Sequence, residues 1–245
     1  MESHALFWAE SIGCGNYRGI AAAIELPISE GTRKMKTIIT IQHAQAVHHG
    51  NGMVGSWTDW ELTDLGKERA ENIGKRLAAE IALKPCKIYC SDLMRTKQTA
   101  KPLLRYLGTV AEYRPDLREA YRGAAAIGKS TQWLIENGAP IPPETSIDNK
   151  PFDDAESTRD VFHRVTKFRD EILATNDNII IVVAHGFMLP IFFATWLGWE
   201  ADMLLRSGFY GAAGGVTFLR QLDDGSRVMM RLNDMSYSGE EYRLV

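Results

Sequence analysis

From Ile179 to Ala184 the chain reads Ile-Ile-Ile-Val-Val-Ala, with no polar residue in the run. A strand with one face in water alternates polar and apolar residues, because successive side chains point to opposite faces. This run does not alternate, so both of its faces must be covered, as at the centre of a parallel sheet. Parallel neighbours can be joined only by long crossovers, usually helices. A single stretch, taken as Asn178 to Ala184, therefore points to an α/β fold. The residues up to Trp199 are also mostly apolar, and the whole segment is nearly long enough to span a bilayer. His185, Gly186 and Pro190 divide it, and the reading is a buried strand, a turn and a helix from about Phe187 to just before Gly198.

Other segments repeat the alternation of strand and helix. Met35 to Ile41 is a short β-branched run that predicts a strand. From Thr63, a residue able to cap a helix, Leu65, Ile73, Leu77 and Ile81 recur at helical spacing. Lys87 to Cys90 predicts a second strand, followed by a helix to about Leu107 capped by Ser91 or Asp92. Residues 108 to 156 are less regular and contain Pro115, Pro140, Pro142, Pro143 and Pro151. They read as a cover inserted over the sheet, with a short helix around Thr131 to Glu136. Val161, Val165, Phe168 and Ile172 mark the apolar face of a helix from Ser157 to Leu173. Val216 to Leu222 and Arg227 to Leu232 flank Asp223-Asp224-Gly225-Ser226, a hairpin signal. The expected architecture is a mainly parallel α/β sheet with an antiparallel edge.

Composition narrows the classes. At 245 residues the chain is long enough for one sizeable core, and a formal net charge of −3 gives no reason to expect a nucleic-acid partner. An anionic ligand would have to be drawn by a local cluster of charge. Cys14, Cys86 and Cys90 are odd in number and lack paired spacing, so reduced thiols and a cytoplasmic setting are expected. Residues 1 to 35 lack a basic start followed by an apolar run and read as an extension of unknown role, with Met35 a plausible translation start. No membrane partner is expected, and oligomeric state stays open.

Ligands of such sheets bind at the carboxyl ends of the strands. Gln42-His43-Ala44-Gln45 follows the first predicted strand, Ser91-Asp92-Leu93-Met94-Arg95 the second, and His185-Gly186 the long apolar one. Two histidines and an arginine are thus expected at one rim. A neutral imidazole can attack phosphorus, and cationic groups can hold the charge of the transferring group. A carboxyl group must then protonate the departing alkoxide and afterwards activate water. Leu117-Arg118-Glu119 offers one in a loop able to cover the pocket.

These segments resemble the histidine phosphatase superfamily, also called phosphoglycerate-mutase-like, from about Lys36 to at least Gly186. Gln42-His43-Ala44 stands where that family has Arg-His-Gly, and Leu62-Thr63-Asp64-Leu65-Gly66 is similar to its Leu-Thr-x-x-Gly helix start. Ser91 to Ala100 resembles its Ser-x-Leu-x-Arg-x-x-Gln-Thr-Ala segment. Leu117-Arg118-Glu119, Ala155-Glu156-Ser157 and Val183-Ala184-His185-Gly186 are similar to three further motifs. The resemblance implies a three-layer sandwich and a small phosphorylated substrate. It implies that His43 carries the phosphoryl group, Arg95 and His185 clamp it, and Glu119 serves as proton donor and then base. It implies no metal and no organic cofactor. His49 falls where many relatives have a phosphate-contacting asparagine. The cluster His43, His48 and His49 lacks nearby carboxylate or cysteine partners for a metal.

Gln42 is the departure of consequence. Glutamine brings neither the charge nor the fork of an arginine, so a transition state gripped without it would be less stable by about 2–4 kcal/mol. Arg118, Arg122, His48 and His49 are candidates to compensate. Three readings remain open: a phosphomonoesterase, a weakened or silent relative that binds a phosphorylated ligand or a protein, and a phosphoglycerate mutase. Ala120-Tyr121-Arg122-Gly123 lacks the fuller set of basic and aromatic residues that the resemblance would lead one to expect of a mutase. Trp133, Tyr121 and Arg122 are expected at the pocket wall, and Trp57 and Trp60 fit core or wall equally.

Overall fold

Strand β4 (Ile179–Ala184) lies at the centre of the computed structural model, which describes residues 35–81, 84–139 and 146–239. The expected extension before Met35, Cys14 and three of the cover prolines lie outside the described residues. In chain order the elements are β1 (Lys36–Gln42), the short α1 (His48–Asn51), α2 (Asp64–Ile81), β2 (Lys87–Ser91), α3 (Met94–Leu107), β3 (Glu112–Arg114), α4 (Thr131–Asn137), α5 (Thr158–Ala174), β4, α6 (Met188–Trp196), β5 (Val216–Gln221) and β6 (Arg227–Asp234). The sheet order is β3-β2-β4-β1-β5-β6. The first four of these strands are parallel, and β5 and β6 add the antiparallel edge.

The uninterrupted apolar run is explained by its two faces. Ile180, Val182 and Ala184 pack with Val161, Val165, Phe168 and Phe192 of α5 and α6. Ile181 and Val183 point the other way, onto Ile73 and Leu77 of α2 and Leu103 of α3. Each such large aliphatic or aromatic side chain contributes about 1.5–3 kcal/mol on burial. This is the three-layer α/β arrangement expected from the alternation of elements. The segment once long enough to suggest a bilayer span is β4 followed by α6, and no helix among the described residues is long and apolar enough to cross a membrane.

Three local expectations are corrected. Leu65 is 43% exposed, because the buried stripe of α2 runs through Gly66, Ala70, Ile73, Leu77 and Ile81. Neither Ser91 nor Asp92 caps α3; its N-cap residue is Leu93, and the Met94 N–H is taken by Asp59 Oδ1 at 2.5 Å. Ser91 ends β2 and bonds His185, while Asp92 pairs with Arg118, so both side chains are engaged in the site rather than in the helix start. Finally, residues 112–114 of the supposed cover form the edge strand β3, which is too short and exposed to leave an apolar pattern. Ser157 does cap α5, in a reciprocal box with Asp160, and Thr63 Oγ1 accepts the Gly66 N–H at 3.0 Å at the start of α2.

Gly66 carries a testable constraint. A Cβ placed there would lie 2.0 Å from the carbonyl oxygen of Gln45, a backbone atom that cannot rotate away. Gly66→Ala is expected to cost about 3 kcal/mol through overpacking, lowering Tm by roughly 6–12 °C for a chain of this size. Thermal unfolding followed by circular dichroism checks this; an unchanged Tm would show that the loop at Gln45 moves freely.

Candidate active site

The carboxyl ends of β1, β2 and β4 bring the predicted residues together. His43 follows β1 and its N–H is held by the carbonyl of Ala184, 3.0 Å away in β4. His185 follows β4, and Arg95 lies in the first turn of α3 after β2. All three side chains are buried. The ring centroids of His43 and His185 are 5.2 Å apart, and Arg95 Nε lies 3.2 Å from His43 Nε2.

The surroundings of His43 define its tautomer. Nδ1 lies 2.9 Å from the carbonyl oxygen of Ala44, which only accepts, so Nδ1 carries the proton. That leaves a lone pair on Nε2, which accepts from Arg95 Nε–H. Burial, reinforced by the Arg95 charge, holds the His43 pKa well below that of an ordinary imidazole. The ring is therefore neutral at pH 7, with its nucleophilic nitrogen turned to a cation. His185 is likewise held neutral by burial and by Arg95. Its Nε2 lies 2.8 Å from Ser91 Oγ, while its buried Nδ1 has no protein partner among the described residues. Such an orphaned buried atom is costly unless a ligand satisfies it.

Arg95 is fixed by more than His43. Its two terminal nitrogens donate to the carbonyls of Thr58 and Ser56 at 2.9 and 2.8 Å. Burial pulls its pKa down to about 10, against the pull of Glu119 and Asp59, so it remains a cation at neutral pH. Glu119 sits across the cavity in a cradle of backbone N–H groups. Oε1 accepts from Ala120 and Met188, and Oε2 from Phe187, at 2.9, 3.2 and 3.0 Å. Two of these donors open α6, so the carboxylate rests on a helix N-terminus. Trp57 Nε1 donates to the Glu119 carbonyl at 2.8 Å and fixes the loop from behind.

Gln42 is buried but makes no side-chain hydrogen bond to His43, Arg95 or His185. Its amide lies against Gly186 and Gly211, where a Cβ on either glycine would come within 2.8 or 2.7 Å. His49 stacks on His43 with ring centroids 5.4 Å apart, and its Nδ1 accepts the Ala46 N–H at 3.2 Å. Its Nε2 therefore carries the proton and can act as a donor. Burial, with His49 and Arg95 adding to it, lowers the His48 pKa to about 3. The three imidazoles offer nitrogens within 4.8 Å of one another. Their arrangement does not suit a metal: His43 and His49 are stacked at 12°, so their in-plane lone pairs do not converge.

Other expected helpers have different partners. Arg118 is committed to Asp92 through two bonds of 2.7 and 2.6 Å, which removes it as a substitute for the missing arginine charge. Glu156 is bound in the same bidentate way by Arg164 and also accepts the Tyr121 N–H, so it braces the cover instead of lining the pocket. Tyr121 packs against Trp57 with the rings tilted by 36°, and Trp133 stacks on Phe152. Trp60 donates to the Val54 carbonyl. Sequence reasoning missed Ser56, whose loop has no periodicity. Its carbonyl holds Arg95, and its Oγ donates to the Ala120 carbonyl while accepting the Arg122 N–H. A cavity of about 600 Å³ opens over this floor, with Arg95, Glu119, Arg122 and Phe187 in its wall.

A neutral imidazole facing a buried arginine at the strand ends of such a sheet is chemically suited to phosphoryl transfer. The chain belongs to the histidine phosphatase superfamily (branch 1), whose family model matches residues 38–235. It is 28% identical over 198 residues to a glucosyl-3-phosphoglycerate phosphatase of Mycolicibacterium vanbaalenii, covering 75% of this chain and 84% of that one. It is 24% identical over 219 residues to the mitochondrial serine/threonine-protein phosphatase Pgam5 of Drosophila yakuba, covering 85% and 66% respectively. The native structure of a mycobacterial glucosyl-3-phosphoglycerate phosphatase superposes with a TM-score of 0.69 at 21% identity, over 82% of this chain and 99% of that one. Family and relatives together support phosphomonoester hydrolysis.

Proposed function

We propose that this protein hydrolyses small phosphomonoesters in two steps through a phosphorylated His43. The observation that carries the reading is the His43 tautomer: Nδ1–H fixed on the Ala44 carbonyl, with the Nε2 lone pair presented beside a buried guanidinium. In the first step Arg95 Nε–H passes from His43 Nε2 to a phosphoryl oxygen, the freed Nε2 lone pair attacks phosphorus, the ester P–O bond breaks, and Glu119 in its carboxylic acid form gives its proton to the departing alkoxide. The phosphoryl oxygens take up donors of Arg95, the His49 Nε2–H and the orphaned Nδ1 of His185. In the second step water gives its proton to Glu119 and attacks the phosphohistidine. Inorganic phosphate leaves, and His43 returns to its neutral form. No step calls on a metal or organic cofactor.

Gln42 favours a second reading, a weakened or silent relative that only binds phosphorylated molecules. A broad panel of phosphate esters, assayed for inorganic phosphate, separates the two; no turnover above background on any of them would leave binding as the function. Gln42→Arg tests the missing charge directly. It is expected to raise kcat/KM about tenfold or more, since one charge-assisted contact to the transferring group is restored. An unchanged kcat/KM, with an unchanged Tm to exclude crowding against Gly186 and Gly211, would show that the existing donors already suffice.

A further inference from the structure

A second cavity, of about 480 Å³, shares a single lining residue, Phe187, with the cavity that holds Arg95 and Glu119. It lies where the starts of α5 and α6 meet residues 204–209, and its size is that of a small-molecule site. Pro190, Ile191, Leu204, Leu205 and Phe209 make its wall largely apolar. None of His43, Arg95, Glu119 and His185 reaches it, so a phosphoryl group bound there would meet no reacting residue. At Gly208 a Cβ would meet nothing within 4 Å, so the fold leaves the wall open there.

Two polar groups in this wall are not used by the fold. Thr158 is 8% exposed, yet its hydroxyl has no hydrogen-bond partner among the described residues. A buried hydroxyl left unpaired is unfavourable, and a polar ligand atom would relieve it. Arg206, at the exposed rim, has neither a side-chain hydrogen bond nor an ion pair among the described residues. By contrast Arg159, next to Thr158 in the chain, is bound by Asp148 and Asp202. Ser207, the remaining polar side chain of the wall, is satisfied by the Met203 carbonyl at 3.2 Å.

We infer that this cavity is a second binding site, for a small apolar acid. The aliphatic or aromatic body of the ligand lies against the apolar wall, its acidic end toward Arg206, with a polar atom within reach of the Thr158 hydroxyl. An acid is favoured over a neutral or basic molecule because Arg206 is the one charged residue among the described lining residues. A single exposed guanidinium suits one negative charge better than a phosphate, which calls for a cluster of donors. The two cavities meet at Phe187, whose N–H holds Glu119 Oε2 at 3.0 Å and whose ring lies under Arg122, 4.5 Å from the centroid. A ligand packed against that ring touches the support of Glu119 while leaving the space beside His43 free.

The test needs no turnover, so it stands apart from the phosphatase reading. The fluorescent probe 8-anilinonaphthalene-1-sulfonate joins an apolar ring system to one anionic group, and N-phenyl-1-naphthylamine is its counterpart without the sulfonate. Titration of the native protein is expected to show one saturable sulfonate site per chain, kept when orthovanadate is present in excess. Leu204→Trp, which fills the second cavity, is expected to abolish that site, and Leu134→Trp, in the catalytic cavity, to leave it intact. Arg206→Met should weaken the sulfonate by about fivefold and leave the uncharged dye unchanged. Thr158→Val, which exchanges the hydroxyl for a methyl, should weaken the sulfonate by about as much. Should Leu204→Trp fail to fold, as judged by circular dichroism, the Arg206 and Thr158 variants still decide. No saturable binding, displacement by orthovanadate, loss with Leu134→Trp instead of Leu204→Trp, or indifference to both Arg206→Met and Thr158→Val would overturn the inference. Equal weakening of both dyes by Arg206→Met would overturn the choice of an acid.

Discussion

Replacing His43 with alanine is expected to reduce phosphate release by on the order of 10⁴-fold or more, because the covalent route disappears with its nucleophile. The accompanying signature is chemical. Native protein mixed with ³²P-labelled ester and quenched within milliseconds should retain label that survives alkali and is lost in acid, the behaviour of a phosphorus–nitrogen bond. His43→Ala should retain none. Label that survives acid instead would assign the bond to a hydroxyl and overturn the role of His43. The protonation state has its own check. Burial and the Arg95 charge depress the His43 pKa, so ¹⁵N spectra at pH 6 should still show a neutral ring protonated at Nδ1. An imidazole titrating near the ordinary value of about 6.5 would contradict that environment.

What the sequence made legible follows from how local each signal is. The β4 run announces its burial because both faces are covered, and every residue in it must be apolar. The sites at three strand ends were legible because a parallel sheet places them on one rim whatever the intervening chain does. Leu65 failed for a local reason: helical spacing does not say which of two neighbouring stripes meets the sheet, and Gly66, with no side chain to signal burial, marks the true one. β3 failed because three half-exposed residues carry too little pattern. Ser56, the commitment of Arg118 to Asp92 and the Glu156–Arg164 pair depend on contacts between segments 26 to 66 residues apart or on side-chain geometry where the cover meets α5. No periodicity encodes such pairings.

The same contacts explain how one site combines a cation with several neutral imidazoles. A charged guanidinium buried beside His43 would be costly if isolated, yet two backbone carbonyls and the imidazole lone pair take three of its five N–H donors. Burial lowers the pKa values of His43, His48, His49 and His185, and the Arg95 field adds to that effect. The site is thus set for an anion before one arrives, with its dipoles already oriented. Gln42 adds no charge to this field. That is why its replacement by arginine is a sharper test of the electrostatics than removal of any group already present.

Glu119→Gln separates the proton-transfer role from mere packing. The amide is close in size, but it cannot give or take the proton that the two steps require. It also places an NH₂ group where the carboxylate accepts three backbone N–H bonds, so a small loss of stability is expected together with the loss of function. For an alkyl phosphate, whose alkoxide is a poor leaving group, turnover should fall by about 10²–10⁴-fold, the usual range for a general acid or base. For 4-nitrophenyl phosphate, whose phenolate departs without help, formation of the phosphohistidine should be nearly unaffected. Hydrolysis of that intermediate should still be slow, because water has lost its base. A burst of nitrophenol equal to the enzyme present, followed by a slow steady state, is therefore the expected trace for Glu119→Gln, and added nucleophiles such as hydroxylamine should speed the slow phase. Equal losses on both substrates with no burst would show that Glu119 only shapes the cavity, and the acid would have to be sought elsewhere along its wall.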